Sequence, residues 1–285
     1  MSNLVSYLFE TNAIKICSDN NPFFLTSGKI SPYFVNTHFI YGSEQDANSL
    51  LGFIDEEITK DKLELPKKVL DITLKQYENS SIYKDVINNM KEFITSNIDI
   101  SQIDYISGGE RRDWFFSEII AFLLNKPHIT LFKNLDTLVS TSDFSSTTIA
   151  QNLEGKNILH IADLITVASS YEKLWIPAIT KLGAKILWST VVVDRMQGGE
   201  ELLAKNGIKS FAMVGINVEL FNKAKELNLL SNNQYSMLIN FYNNPDGSMR
   251  EFLLENPNFL ENALNSDEKT AKRAKLCIDE NIYNL

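Results

Sequence analysis

The chain has 285 residues, 44% of them hydrophobic, with 27 basic against 36 acidic side chains and a net charge of −9. That length holds one large domain or a domain with a helical appendage. The absence of a Lys/Arg stripe argues against a polynucleotide-binding surface. No run of about 18 uncharged apolar residues suggests a membrane span. The N-terminus lacks a basic flank before a long apolar stretch, and Cys17 and Cys277 match no metal or redox spacing. A cytoplasmic setting is therefore expected.

In chain order, apolar periodicity predicts an amphipathic helix over 3–16, then extended segments over 23–26 and 33–38 joined by SGKISP. Helical spacing recurs over 43–58 and 82–98, separated by a polar, Lys-rich connection containing Pro66, and this middle region looks inserted. From residue 103 the pattern alternates: strand 103–106, helix 113–124, strands 128–132 and 158–161, helix 171–182, strand 186–193, helix 200–205 and strand 210–214. Strands alternating with helices imply a parallel sheet with helices on both faces. Beyond 217 the chain reads as short helices broken by Pro245, Asp246-Gly247 and Pro257.

Ligands of such sheets bind beyond the C-terminal ends of the strands, and four loops there carry chemistry. In NILHIADLITVASSY an apolar run meets Asp163 and opens into Thr166, Val167, Ala168, Ser169 and Ser170 before a helical pattern. A turn of that kind aims backbone N–H groups and hydroxyls at one anion. In SGGERRD, Gly108 and Gly109 permit unusual backbone angles and close approach, while Arg111 and Arg112 suit a second phosphate. In DRMQGG, Arg195 beside Asp194 can fork onto a carboxylate. The Ser- and Thr-rich segment 134–151 has the length of a lid. Plainer readings stand beside these: an ordinary helix N-cap at Thr166 to Ser170, a solvated charge cluster at Arg111, Arg112 and Asp113, a structural ion pair at Asp194 and Arg195. His38, His128 and His160 read as hydrogen-bonded core histidines.

Three segments, FFLTSGKISPYFVN (23–36), NILHIADLITVASS (157–170) and VVVDRMQGG (191–199), in that order, resemble the signatures of the type I phosphoribosyltransferases, the orotate enzymes in particular. The resemblance implies a parallel-sheet, Rossmann-like α/β core with an N-terminal cap element and a helical C-terminal extension. Its domain would span 1–216, with an inserted helical region near 60–102, and the extension 217–285. It implies transfer of 5-phosphoribosyl from 5-phosphoribosyl 1-diphosphate (PRPP) to orotate, with Mg²⁺, giving orotidine 5′-phosphate and pyrophosphate in pyrimidine (UMP) synthesis. PRPP and orotate are then the small-molecule partners, with no nucleic acid or membrane, in a homodimer.

By the same resemblance Asp163 meets the ribose hydroxyls and residues 166–170 hold the 5-phosphate. Gly108, Gly109, Arg111, Arg112 and Lys133 lie toward pyrophosphate. Arg195 takes the orotate carboxylate and Phe34 packs on the ring, with Thr166 near it and Lys29 among the substrate ligands. The chain also departs from the pattern. Ala162 stands where a second acid is usual, Ala168 where a glycine is, and Thr26 where a lysine is. No Lys-Asp-His-type run occurs in 134–151. These departures keep open a different class, a protein of this fold with impaired PRPP chemistry that binds a nucleotide or base as a regulatory module.

Overall fold

The computed structural model describes residues 3–18 and 21–285. The first elements are helix α1 (Leu4–Glu10), strands β1 (Ile14–Ile16), β2 (Phe23–Phe24), β3 (Ile30–Ser31) and β4 (Tyr33–Val35), and helices α2 (Glu44–Glu57), α3 (Leu65–Asn79) and α4 (Ser81–Asn97). Then come β5 (Tyr105–Gly109), α5 (Trp114–Leu123), β6 (His128–Leu131), β7 (Thr137–Ser140), β8 (Thr147–Ile149) and β9 (Asn157–Ile165). A π-helical turn at Tyr171–Trp175 leads into α6 (Ile176–Lys181), followed by β10 (Lys185–Asp194), α7 (Gly199–Lys205) and β11 (Lys209–Gly215). The chain ends in α8 (Val218–Glu226), α9 (Asn232–Asn243), α10 (Pro245–Glu255), α11 (Phe259–Leu264) and α12 (Glu268–Asp279). These elements form two compact units, 1–11 with 37–216 and 12–36 with 217–285.

The first unit is built on a seven-stranded sheet in the order β11-β10-β9-β5-β6-β7-β8. The five strands from β11 to β6 are parallel, and β7 and β8 join antiparallel at the edge. Ile158, Ile161, Val191 and Val192 are fully buried, as expected of strands covered on both faces. Helix α5 is apolar around most of its circumference, and Trp114 through Ala121 are all buried. Such a helix needs cover on every side. It packs on β5, β6 and β9 and is met as well by α3 and α4, so the inserted region completes the core.

Several expectations change. The predicted helix over 3–16 ends at Glu10; Asn12 takes a left-handed φ of 58° and the β-branched Ile14 and Ile16 pair with β4 instead. The Lys-rich connection is helix α3, because Pro66 sits in the first turn, where its missing N–H costs nothing, and Leu65, Val69, Leu70 and Thr73 bury one face. The expected lid 134–151 is a hairpin, β7 and β8, added to the sheet edge. Its strands, TLVS and TTI, carry the β-branched residues that favour pairing, and its turn is fixed by Asp143, whose Oδ1 accepts the Ser145 N–H at 3.1 Å and the Thr141 hydroxyl at 2.6 Å.

In the second unit β1 pairs with β4, β2 with β3, and five helices follow. Phe24 and Ile30 share a core with Met249, Leu253, Ala274, Cys277 and Tyr283. The backbone is tied as well as packed. The Ile30 N–H donates to the Tyr283 hydroxyl at 2.8 Å, and Arg273 donates to the Phe24 carbonyl at 2.8 Å.

Candidate active site

Strand register brings the informative loops of the first unit to one sheet edge. β9 pairs with β10 up to Ile165 opposite Asp194, and with β5 up to Ser107 opposite His160. A cavity of about 340 Å³ opens there, lined by Glu110 to Asp113, Lys133, Ala162 to Tyr171 and Trp175. Asp163, Lys133, Arg111, Arg112 and all five residues of the Thr166–Ser170 turn are thus brought together.

The turn is built as the sequence suggested, with one strained residue. Ala168 has φ 55°, the left-handed region that costs a side-chain-bearing residue about 1–2 kcal/mol. Among the described residues no acceptor meets the backbone N–H groups of Val167, Ala168, Ser169 or Ser170, and no partner meets the Thr166, Ser169 or Ser170 hydroxyls. Backbone donors at the start of a helical segment, left to solvent or a ligand, suit an anion.

Gly108 and Gly109 are placed differently from expectation. Both lie inside β5 rather than in a loop, and neither has positive φ. What requires glycine is close approach: a Cβ on Gly109 would come within 2.8 Å of the Trp175 indole nitrogen, and one on Gly108 within 2.7 Å of the Ser117 Cβ. The strand extends past Ile106 because its residues pair with β6 through Leu131.

The cations are unequal. Arg111 forms an ion pair with Asp55 of α2. Lys133 faces Glu110, its N–H donating to Oε2 at 3.0 Å and its Nζ lying 3.7 Å from Oε1. Arg112 is exposed and makes no ion pair among the described residues. At the floor, Asp163 is 7% exposed. Burial first, then the neighbouring Asp113 charge, pushes its carboxyl up to about 8, opposed by Arg112.

Sequence reasoning placed Asp113 only in a possible charge cluster. Its carboxylate accepts the Gly109 N–H and the Asp163 N–H, each at 3.0 Å, and lies 3.6 Å from His160 Nε2. The signal was an acid at a helix start, which ordinarily reads as a cap. His160 and His128 are core histidines as expected. His160 Nδ1 lies 2.9 Å from Ser107 Oγ, and His128 bridges Ser117 and Thr130 at 3.0 and 3.1 Å. Burial lowers His128 to about 3.

Arg195 follows β10, and its backbone N–H donates to the Ile165 carbonyl at 3.0 Å. Phe34 and Lys29 belong to the second unit. There Phe34 meets Phe23 edge-on at 5.5 Å between ring centroids, and Lys29 is bonded to Asp246 at 2.8 Å. Tyr33, on the opposite strand face from Phe34, is buried against Phe221 and Phe241. Among the described residues no three His, Cys, Asp or Glu side chains converge as metal ligands. A magnesium ion held at the described residues would have to bring most of its shell as water and ligand phosphate oxygens.

No family model matches the chain, and no curated protein does. Solved structures do. UMP synthase from Leishmania donovani superposes with a TM-score of 0.54 at 16% identity over 85% of this chain, which spans 42% of that protein. Orotate phosphoribosyltransferase from Francisella tularensis gives 0.51 at 15% identity, over 83% of this chain and 96% of the other. The chain has the type I phosphoribosyltransferase fold. The enzyme from Aeropyrum pernix agrees, with a TM-score of 0.50 at 18% identity over 80% of this chain and 99% of its own. In this fold the Asp163 strand end and the turn after it lie at the sheet edge where α/β proteins take their ligands.

Proposed function

We propose that the chain is an orotate phosphoribosyltransferase. The observation that carries this reading is the turn 166–170: open N–H and hydroxyl groups beside the buried Asp163, in a cavity that also holds Arg112. In the reaction the orotate ring nitrogen attacks C1 of the ribose as the bond from C1 to the pyrophosphate oxygen breaks. The transition state has oxocarbenium character, so positioning and neutralisation of the leaving charge do the catalysis and no covalent nucleophile is needed.

Each residue then has a task. The turn holds the 5-phosphate, Asp163 accepts from ribose hydroxyls, and Arg112, with Arg111 and Lys133, faces the departing pyrophosphate. Magnesium would enter on PRPP oxygens. On the base side, the sequence resemblance assigns the orotate carboxylate to Arg195 and the ring to Phe34, with Lys29 and Thr166 as further ligands. It also assigns the phosphoribosyl domain to 1–216 and homodimeric assembly.

One observation favours the second reading, a binding module with impaired PRPP chemistry: Arg111 and Lys133 are already engaged by Asp55 and Glu110, leaving the leaving-group end with little free positive charge. Following orotate absorbance on mixing the protein with PRPP and Mg²⁺ separates the two. The proposal expects turnover that Arg195→Ala removes. No turnover, with orotate or its nucleotide still bound in a calorimeter, would make the binding module correct.

A further inference from the structure

The pairing of β5 with β9 stops at Ser107 opposite His160, although both strands run on, to Gly109 and Ile165. Beyond that point the two backbones donate to a side chain lodged between them. Asp113 is 8% exposed, and it spends Oδ2 on the Gly109 N–H and Oδ1 on the Asp163 N–H. A carboxylate holding two backbone donors is a strong, directional staple. The Asp163 side chain it steadies is itself incomplete: Oδ2 is buried and has no hydrogen-bond partner among the described residues. A buried carboxyl oxygen in that state is costly until a proton or a donor fills it.

We propose that Asp113 is a positioning residue for the sugar hydroxyls of a phosphorylated ribose: it fixes the Asp163 backbone across the strand gap and competes with the ligand for the Asp163 carboxyl. The proposal rests on the phosphoribosyl reading above. Without ligand, a proton on Asp163 relieves both the repulsion from the Asp113 charge and the orphaned oxygen. A ligand hydroxyl donating to Asp163 displaces that proton. Since Asp163 is held up to about 8, ligand binding strengthens as pH rises through that value. The other groups facing the pair are Arg112, which favours the ionised form, His160, 3.6 Å from Asp113, and Tyr171, kept neutral by burial and bonded to Ser189. Glu110 and Lys133 line the same cavity but are tied to each other.

The test is calorimetric titration with ribose 5-phosphate from pH 7 to 9.5, where the phosphate, with a second pKa of about 6, is already dianionic. For the wild type, affinity rises about tenfold across the range, since one ionisation near 8 controls it. In Asp113→Asn the midpoint falls by at least about one pH unit, while the high-pH plateau drops because an amide accepts only one of the two N–H bonds. Asp163→Asn removes the rise altogether. A midpoint in Asp113→Asn equal to the wild type, with only the plateau lowered, would overturn the competition and leave Asp113 a structural staple. Binding with no pH dependence in the wild type overturns the inference but not the phosphoribosyl reading; no binding at any pH overturns both. Should Asp113→Asn fail to fold, a rise that persists in Asp163→Asn overturns the proposal by itself.

Discussion

Ala168 shows what a single residue contributes to the turn. Its φ of 55° is a conformation glycine adopts without penalty, so Ala168→Gly should stabilise the protein by about 0.5–1 kcal/mol, read as a higher urea midpoint at unchanged slope. A lower midpoint would mean that the methyl group of Ala168, a residue only 5% exposed, packs better than the strain costs. Arg111 poses the converse question: its charge is present but engaged. Asp55→Asn should release it and tighten inorganic pyrophosphate binding severalfold in a calorimeter, an effect that high salt erases. An unchanged affinity would place Arg111 outside the anion site. At this scale the residues that line the candidate cavity were largely legible. Asp163 is an acid within an apolar strand, and the hydroxyls of the turn and the two arginines follow directly on strand ends, a contrast that is a sequence signal. Asp113 was not legible, because its importance lies in two backbone donors fifty and four residues away.

Among the elements, α5 carries the sharpest energetic feature. Glu118 is fully buried, neither carboxyl oxygen has a partner among the described residues, and burial holds the group well above its ordinary value of 4.5. An acid raised in the folded state stabilises fully below its unfolded pKa, and that contribution is lost as pH rises from there toward the folded value. The contribution of Glu118 to folding stability should therefore decline above about pH 4.5, by at most about 1.4 kcal/mol per pH unit for one proton. Urea unfolding of wild type and Glu118→Gln at several pH values checks this: the difference between them should grow in favour of the variant, and parallel curves would contradict it. Elements whose period matched their burial were readable from sequence, as α2, α4 and β9 show. Helix α3 was hidden by its Lys-rich exposed face and Pro66, and the β7–β8 hairpin by Ser and Thr residues that serve strands as well as loops.

At the scale of the molecule, the residues 12–36 form one unit with 217–285, a partnership with no local signal because it joins segments some two hundred residues apart. Tyr283→Phe removes the acceptor of the buried Ile30 N–H and should destabilise that unit by about 1–3 kcal/mol. Proteolysis within 12–36 would report it, and equal resistance would show that packing of Phe24 and Ile30 suffices. The seven-stranded sheet, by contrast, follows from alternation of strand and helix that the sequence displays openly. It sets the Asp163 strand end, the open turn and Arg112 around one cavity, the proposed seat of the phosphoribosyl donor. Calorimetric titration of PRPP into the wild type and Arg112→Ala tests that most directly. The wild type should bind PRPP and the variant should lose roughly ten- to a hundredfold, the worth of a charged hydrogen bond; equal affinities, or no binding by the wild type, would rule the phosphoribosyl site out.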